Sequence, residues 1–133
     1  MKPVHVSGKR KSAIARATAS EGTGKVTINK LSLDLVSPAL SRERMTEPII
    51  LAGDLMAKVD VSVTVNGGGI ASQADAARLA IAKALVAFTK NKKLEQTYLD
   101  YDRLLLVADV RRKEVHKPNN HGKARAKKQK SYR

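Results

Sequence analysis

Val59-Asp60-Val61-Ser62-Val63-Thr64-Val65-Asn66-Gly67-Gly68-Gly69 holds a valine at every second position and then three glycines in a row. A period of two is that of a half-buried strand, here with valines toward a core and Asp60, Ser62, Thr64 and Asn66 away from it. After the glycines the period changes. Over residues 70–90 the apolar positions Ala74, Ala77, Ile81, Leu85 and Phe88 recur at steps of 3, 4, 4 and 3. That is the stripe of an amphipathic helix, and its many alanines favour helix and permit close approach to a sheet. Ser72, with Asp75 three residues on, has the spacing of a capping box. The stretch therefore reads as strand, sharp turn, helix.

Working outward, residues 13–20 alternate and read as a strand, Glu21-Gly22-Thr23-Gly24 as a turn, and Lys25-Val26-Thr27-Ile28 as a second strand, so the two pieces form a hairpin. Ser37-Pro38 has the form of a helix start, with Ser37 as cap. Pro48 should interrupt that helix, and Ile49, Ile50, Leu51, Leu55 and Met56 then make a second short one. Residues 94–101 read as a further helix, residues 104–107 as an apolar run of either type, and residues 110–115 as a last, basic strand. The expected fold is α+β, a small two-layer sandwich with a four-stranded sheet and helices on one face.

The 133 residues include 26 Lys and Arg against 12 Asp and Glu, a formal net charge of +14. Such an excess calls for a polyanionic partner, nucleic acid first and an anionic membrane surface second. The chain has no cysteine, which excludes disulfide frameworks, thiolate metal sites and cysteine nucleophiles. Apolar runs at 48–52 and 104–108 are far short of a membrane span, and the N-terminus lacks a secretory pattern, so a cytoplasmic protein without membrane contact is expected. Phe88, Tyr98, Tyr101 and Tyr132 are the only aromatic residues, too few for a sheet that stacks splayed bases.

The charge is divided along the chain. Residues 1–16 hold Lys2, Lys9, Arg10, Lys11 and Arg16 and no acid. Residues 111–133 hold Arg111, Arg112, Lys113, Lys117, Lys123, Arg125, Lys127, Lys128, Lys130 and Arg133 against Glu114 alone. The stretch 17–110 between them is neutral and contains nearly all the Leu, Ile and Val. Residues 117–133 contain none of these, and no Met or Phe, so they cannot bury enough surface to offset their ordering entropy. The organisation that follows is a globular domain over 1–116 with a basic entry, then an extended RNA-binding tail over 117–133. Apart from Lys2, the basic residues named, with Arg133 at the tip, are the candidate RNA contacts; a merely solvated tail is the plain alternative.

Gly67-Gly68-Gly69 lies where phosphate-binding loops lie, between strand and helix. It lacks the Gly-Lys-Ser/Thr ending of a nucleotide-triphosphate loop. Read as Gly-x-Gly-x-x-Gly, it has Ser72 in the last place, and Lys90-Asn91-Lys92-Lys93 stands where a dinucleotide fold needs an acid. A close-packing turn is the better reading, with a small phosphate- or nucleotide-handling enzyme as the rival and a free nucleic-acid chaperone as a third. His5, His116 and His121 lie in or beside the basic ends without supporting carboxylates beyond Glu114, so no metal is expected. Ser7, Ser12 and Ser131 lack a placed base, and Asp100 and Asp102 read as surface or helix-end charges. No catalytic residue or cofactor is expected.

Gly67 to Gly69, Ser72, Gln73, Ala76, Ala80, Ala82, Lys83 and Leu85 match a pattern of three glycines, a small residue, Gln, spaced small residues and a basic residue before a closing apolar one. In this the chain resembles the family of the ninth universal protein of the small ribosomal subunit. Gly8-Lys9-Arg10-Lys11-Ser12-Ala13-Ile14-Ala15-Arg16 is similar to that family's basic strand entry. Gln129-Lys130-Ser131-Tyr132-Arg133 is similar to the ending of its archaeal and eukaryotic branch, and the short N-terminus favours the archaeal type. The resemblance implies a β-α-β domain with a left-handed crossover, seated on ribosomal RNA in the subunit head beside neighbouring head proteins. It also implies a C-terminal tail that reaches the anticodon stem-loop of peptidyl-site transfer RNA, with Ser131, Tyr132 and Arg133 nearest to it.

Overall fold

The computed structural model describes residues 2–119 and 124–125. Five strands and three α-helices follow in the order β1 (Val4–Arg10), β2 (Ala13–Glu21), β3 (Val26–Ile28), β4 (Leu31–Ser32), α1 (Ala39–Ala52), β5 (Val59–Asn66), α2 (Ile70–Thr89) and α3 (Lys92–Tyr101). The sheet runs β1-β2-β5-β3-β4, with β3 and β5 parallel and the other pairs antiparallel. Helix α2 lies across β1, β2 and β5, α1 packs on α2, and α3 packs on both. The molecule is thus mixed α and β, with its helices on one face of the sheet.

The strand–turn–helix reading holds residue by residue. Val59, Val61, Val63 and Val65 are buried, as are Ala74, Ala77, Ile81, Leu85 and Phe88 of α2. The facing surface of β2 is Ala13, Ala15, Ala17 and Ala19, none more than 1% exposed. Against it α2 sets Ala76, Ala77, Ala80 and Ala84, all fully buried. Methyl against methyl lets the helix backbone come close to the sheet. At Gly8 in β1 the approach is closest: a Cβ there would lie 2.7 Å from the Ala76 carbonyl oxygen and 3.0 Å from the Ala80 nitrogen.

Several expectations are corrected. The sheet has five strands rather than four. Strand β1 was concealed by its charge: His5, Ser7 and Lys9 point outward while Val4, Val6, Gly8 and Arg10 point toward the helices. Strand β4 is two residues long and turns on Asn29-Lys30, both with positive φ (49° and 68°), a conformation that two-residue hairpins favour. The expected hairpin of residues 13–20 with 25–28 does not form, because β5 lies between β2 and β3 and pairs with each. Instead, β1 and β2 form the hairpin. The β2–β3 loop is tied down by Asp60, whose Oδ1 accepts the backbone N–H groups of Thr23, Gly24 and Lys25 at 2.9, 3.0 and 2.9 Å.

Helix α1 continues through Pro48 instead of breaking there, and starts at Ala39 with no side-chain cap from Ser37 or Pro38. Ser72 does not cap α2: Gly69 is its N-cap, and Gln73 Nε2 donates to the Gly67 carbonyl at 3.0 Å. Helix α3 forms as expected, capped by Asn91. The apolar run after it is a 3-10 turn, Arg103–Leu105, and residues 110–115 carry no strand.

Pro48 lacks the N–H that would donate to the Arg44 carbonyl within α1, yet the helix runs on to Ala52. The carbonyl of Pro48 itself is tied to another element: the fully buried Tyr98 of α3 donates its hydroxyl to it at 2.7 Å, and burial pushes the phenol above its ordinary pKa. Removing the hydroxyl loses this buried hydrogen bond between α3 and α1. Tyr98→Phe is therefore expected to lower stability by about 1–2 kcal/mol, read as a shift of the urea midpoint at unchanged slope.

Candidate nucleic-acid interface

The β1–β2 hairpin turns on Lys11-Ser12, with Lys11 in the left-handed region at φ 53°. This turn is seated on the triple glycine. A Cβ on Gly67 would lie 2.7 Å from the Ser12 carbonyl oxygen, and one on Gly68 3.0 Å from the Ala13 nitrogen. Both glycines have positive φ, 78° and 68°, so a side chain is opposed there by conformation and by space. Gly67-Gly68-Gly69 serves here as a packing turn between the hairpin and α2.

After Arg103–Leu105 the chain returns past the same turn. Arg10, at the end of β1, meets Asp109 at 3.6 Å and Asp75 of α2 at 3.9 Å. This brings Arg111, Arg112 and Lys113 beside Lys11 and Ser12. A cleft of about 650 Å³ is lined by Arg10, Lys11, Ser12, Arg111, Arg112 and Lys113. Five cations, one hydroxyl and no carboxylate line it. The two basic ends, which the neutral stretch 17–110 separates in sequence, meet in space.

The cations of this cluster differ in kind. Arg10 is a strut: its side chain is only 16% exposed, and its Nη1 is buried without a partner among the described residues. Arg44 also pairs with Asp75, and Arg78 joins Glu47 of α1 to Asp102 at the end of α3 at 2.6 and 3.2 Å. Asp109 accepts from the Arg111 backbone N–H and from Nε and Nη2 at 2.9, 3.0 and 2.7 Å. These hydrogen bonds, with Arg10 adding to them, hold its carboxyl below the usual carboxylate range. Arg111 is nonetheless 75% exposed. Arg112 Nη1 donates to the carbonyls of Asp109 and Arg111, and Arg125 pairs with Glu114 at 2.7 Å. That pairing depresses the Glu114 carboxyl and raises the Arg125 guanidinium.

Of the other candidate contacts, Lys9 and Arg16 lie exposed on the outer face of the sheet, and Lys113 and Lys117 are exposed after the last turn. Lys123, Lys127, Lys128, Lys130, Ser131, Tyr132 and Arg133 lie outside the described residues, as does His121. Among the described residues no group of three or more His, Asp and Glu is placed to hold a metal ion, and no helix is long and apolar enough to cross a membrane. Sequence reasoning missed the acids that organise the cluster. Asp75 read as a cap residue, and Asp109 belonged to a stretch that is neutral in sum; its place two residues before Arg111 was the available signal.

The sequence model described as "Ribosomal protein S9/S16" matches residues 8–133. The chain belongs to this family. The full chain is 54% identical over 134 residues to the "Small ribosomal subunit protein uS9" of Methanococcus maripaludis, with both chains wholly covered. It is 53% identical to that of Methanococcus vannielii and 50% identical to that of Methanothrix thermoacetophila, again over the full length of each. These relatives are archaeal, in agreement with the expected branch of the family.

Asp60 and Asp109 both have depressed carboxyl pKa values, Asp60 through the backbone N–H groups it accepts. A depressed carboxylate contributes stability above its unfolded pKa, and that contribution is lost as pH falls through the unfolded value toward the folded one. Urea midpoints should therefore decline as pH is lowered from about 5 to about 3. Asp60→Asn and Asp109→Asn should each be less stable at neutral pH and lose less on acidification.

Proposed function

We propose that this chain is a structural constituent of the small ribosomal subunit, bound to ribosomal RNA in the head through the cationic cleft and the basic tail. Membership of the S9/S16 family supports the assignment to the ribosome. The observation that carries the RNA contact is the meeting of Lys11, Arg111, Arg112 and Lys113 around Ser12 with no acid in the lining. Lysine and arginine so placed neutralise phosphates and release counterions, and arginine can bridge phosphates in bidentate fashion. In this reading residues 1–116 are the domain and residues 117–133 an arm that orders on RNA. Ser131, Tyr132 and Arg133 then lie nearest peptidyl-site transfer RNA during translation, in the cytoplasm. The family resemblance also leads us to assign a left-handed turn to the β3–α1–β5 crossover. Neighbouring head proteins are the expected cover for the groove of about 270 Å³ lined by Leu31, Val36 and Ile70.

Lys11 separates function from fold. A side chain in the left-handed region costs about 1 kcal/mol relative to glycine, so Lys11→Gly should be as stable as the parent or more so. The same change, and Lys113→Gln, should each lower the salt dependence of RNA binding by about one counterion. Deleting residues 117–133 should leave the melting of the domain intact yet cost about 10³ in affinity at intermediate salt if six or so phosphate contacts are lost. Unchanged affinity and slope in all three variants would remove the proposal. Co-sedimentation with small subunits separates it from a free chaperone, and a saturable nucleotide complex in calorimetry would favour the enzyme instead.

A further inference from the structure

The helices cover one face of the sheet, and the described residues leave the other bare. Strand register arranges that bare face in rows. Ser7 stands beside Arg16 and Arg16 beside Thr64; His5, Thr18, Ser62 and Thr27 form the next row; Lys9, Ile14 and Asn66 form the third. Successive rows are about 6.8 Å apart and neighbouring strands about 4.8 Å. His5, Ser7, Lys9, Arg16, Ser62 and Thr64 are all exposed.

The chemistry of this face is uniform. It carries hydroxyls across four strands, with Arg16 among them and Lys9 at the end toward the cleft. Its acid is Asp60, at the end away from Lys9, where the carboxylate is occupied by the backbone N–H groups of Thr23, Gly24 and Lys25. Its one large apolar side chain in these strands is Ile14, 40% exposed. A protein interface wants a central cluster of apolar or aromatic anchors, which is missing here. Single-stranded RNA read on a sheet wants aromatic stacking platforms, yet Phe88 and Tyr98 are in the core and Tyr101 is on α3. The minor groove of an A-form RNA helix offers the matching surface: ribose 2′-hydroxyls, which both donate and accept, flanked by phosphates.

We propose that the bare face of the sheet docks the minor-groove side of an RNA double helix, with the hydroxyls of Ser7, Ser62 and Thr64 meeting ribose 2′-hydroxyls and Arg16 and Lys9 meeting the flanking phosphates. The partner class rests on the ribosomal-RNA reading above, but the contact is different in kind. The cleft neutralises charge and does not tell one sugar from another. The sheet face does.

The test uses the full chain and two duplexes of one sequence, one of RNA and one with 2′-fluoro sugars. The fluoro duplex keeps the A-form and the charge but loses the hydroxyl donors. The parent protein should bind the RNA duplex about tenfold more tightly. The triple variant Ser7→Ala, Ser62→Ala, Thr64→Val replaces exposed hydroxyls without changing charge, and should lose most of that preference at an unchanged salt slope. Arg16→Gln should lower the slope by about one and keep the preference. The proposal is overturned if the parent shows no preference, if the triple variant keeps it, or if a photo-crosslinker at position 64 in assembled subunits captures protein alone. Salt slopes of Lys11→Gly and Lys113→Gln report on the cleft independently, so either surface can fail while the other stands.

Discussion

The close contact of α2 with the β1–β2 hairpin is the constraint on which the rest of the molecule depends. Alanines at 13, 15, 17 and 19 face alanines at 76, 77, 80 and 84, with Gly8 at the tightest point. A helix held this near the sheet brings its first turn beside the hairpin turn, which is why Gly67 and Gly68 have no room for a side chain against Ser12 and Ala13. The same proximity lets Asp75 reach Arg10, and Arg10 in turn reaches Asp109. A larger residue anywhere in the alanine layer would lift the helix and loosen the cluster along with the core. The cationic cleft is thus a downstream product of methyl-thin packing.

That dependence changes what the net charge of +14 means. Not every cation is turned outward. Arg10 and Arg78, with side chains 16% and 12% exposed, hold elements together through carboxylates and are poorly placed to give them up. Arg111 and Arg125 also have acid partners, but at 75% and 80% exposure those pairs are weak and screened. A phosphate can replace Asp109 or Glu114 at such a guanidinium with little loss. The two acids near the basic ends then hold the exposed arginines in place until a stronger anion arrives, while the buried pairs stay as they are.

What could be read from the sequence was what depends on period and composition. The valine alternation at 59–65, the α2 stripe and the charge division need no partner to be seen. What could not be read depends on pairing at a distance. Strand β1 looked like a charge cluster because its outward residues are polar and its inward ones are small or, in Arg10, charged. The 13–20 and 25–28 pieces looked like neighbours because the turn between them is short, and only the sheet order shows β5 between them. Pro48 looked like a break because proline lacks the helical donor, but α1 runs on to Ala52 and is tied at the Pro48 carbonyl by Tyr98, fifty residues away. Candidate cations were legible by type, but strut and contact differ only by burial, which residue type does not report.

The anchoring of the chain after α3 also bears on how the basic tail can act. Its root is not free to swing, since Asp109 is held beside the cleft by the mostly buried Arg10. Under the proposed function, an RNA held at the cleft therefore meets the start of the tail at a defined place. Each further phosphate contact becomes intramolecular, at an effective concentration set by the short span of chain from the root. On the same reading, a segment of the tail's composition needs only modest gain per contact to lie down on RNA, because the first contact is made by the folded part. Under the proposed function, the folded domain, by pinning the root and carrying the cleft, lets a tail of ordinary lysines and arginines act at one place on its partner instead of anywhere along it.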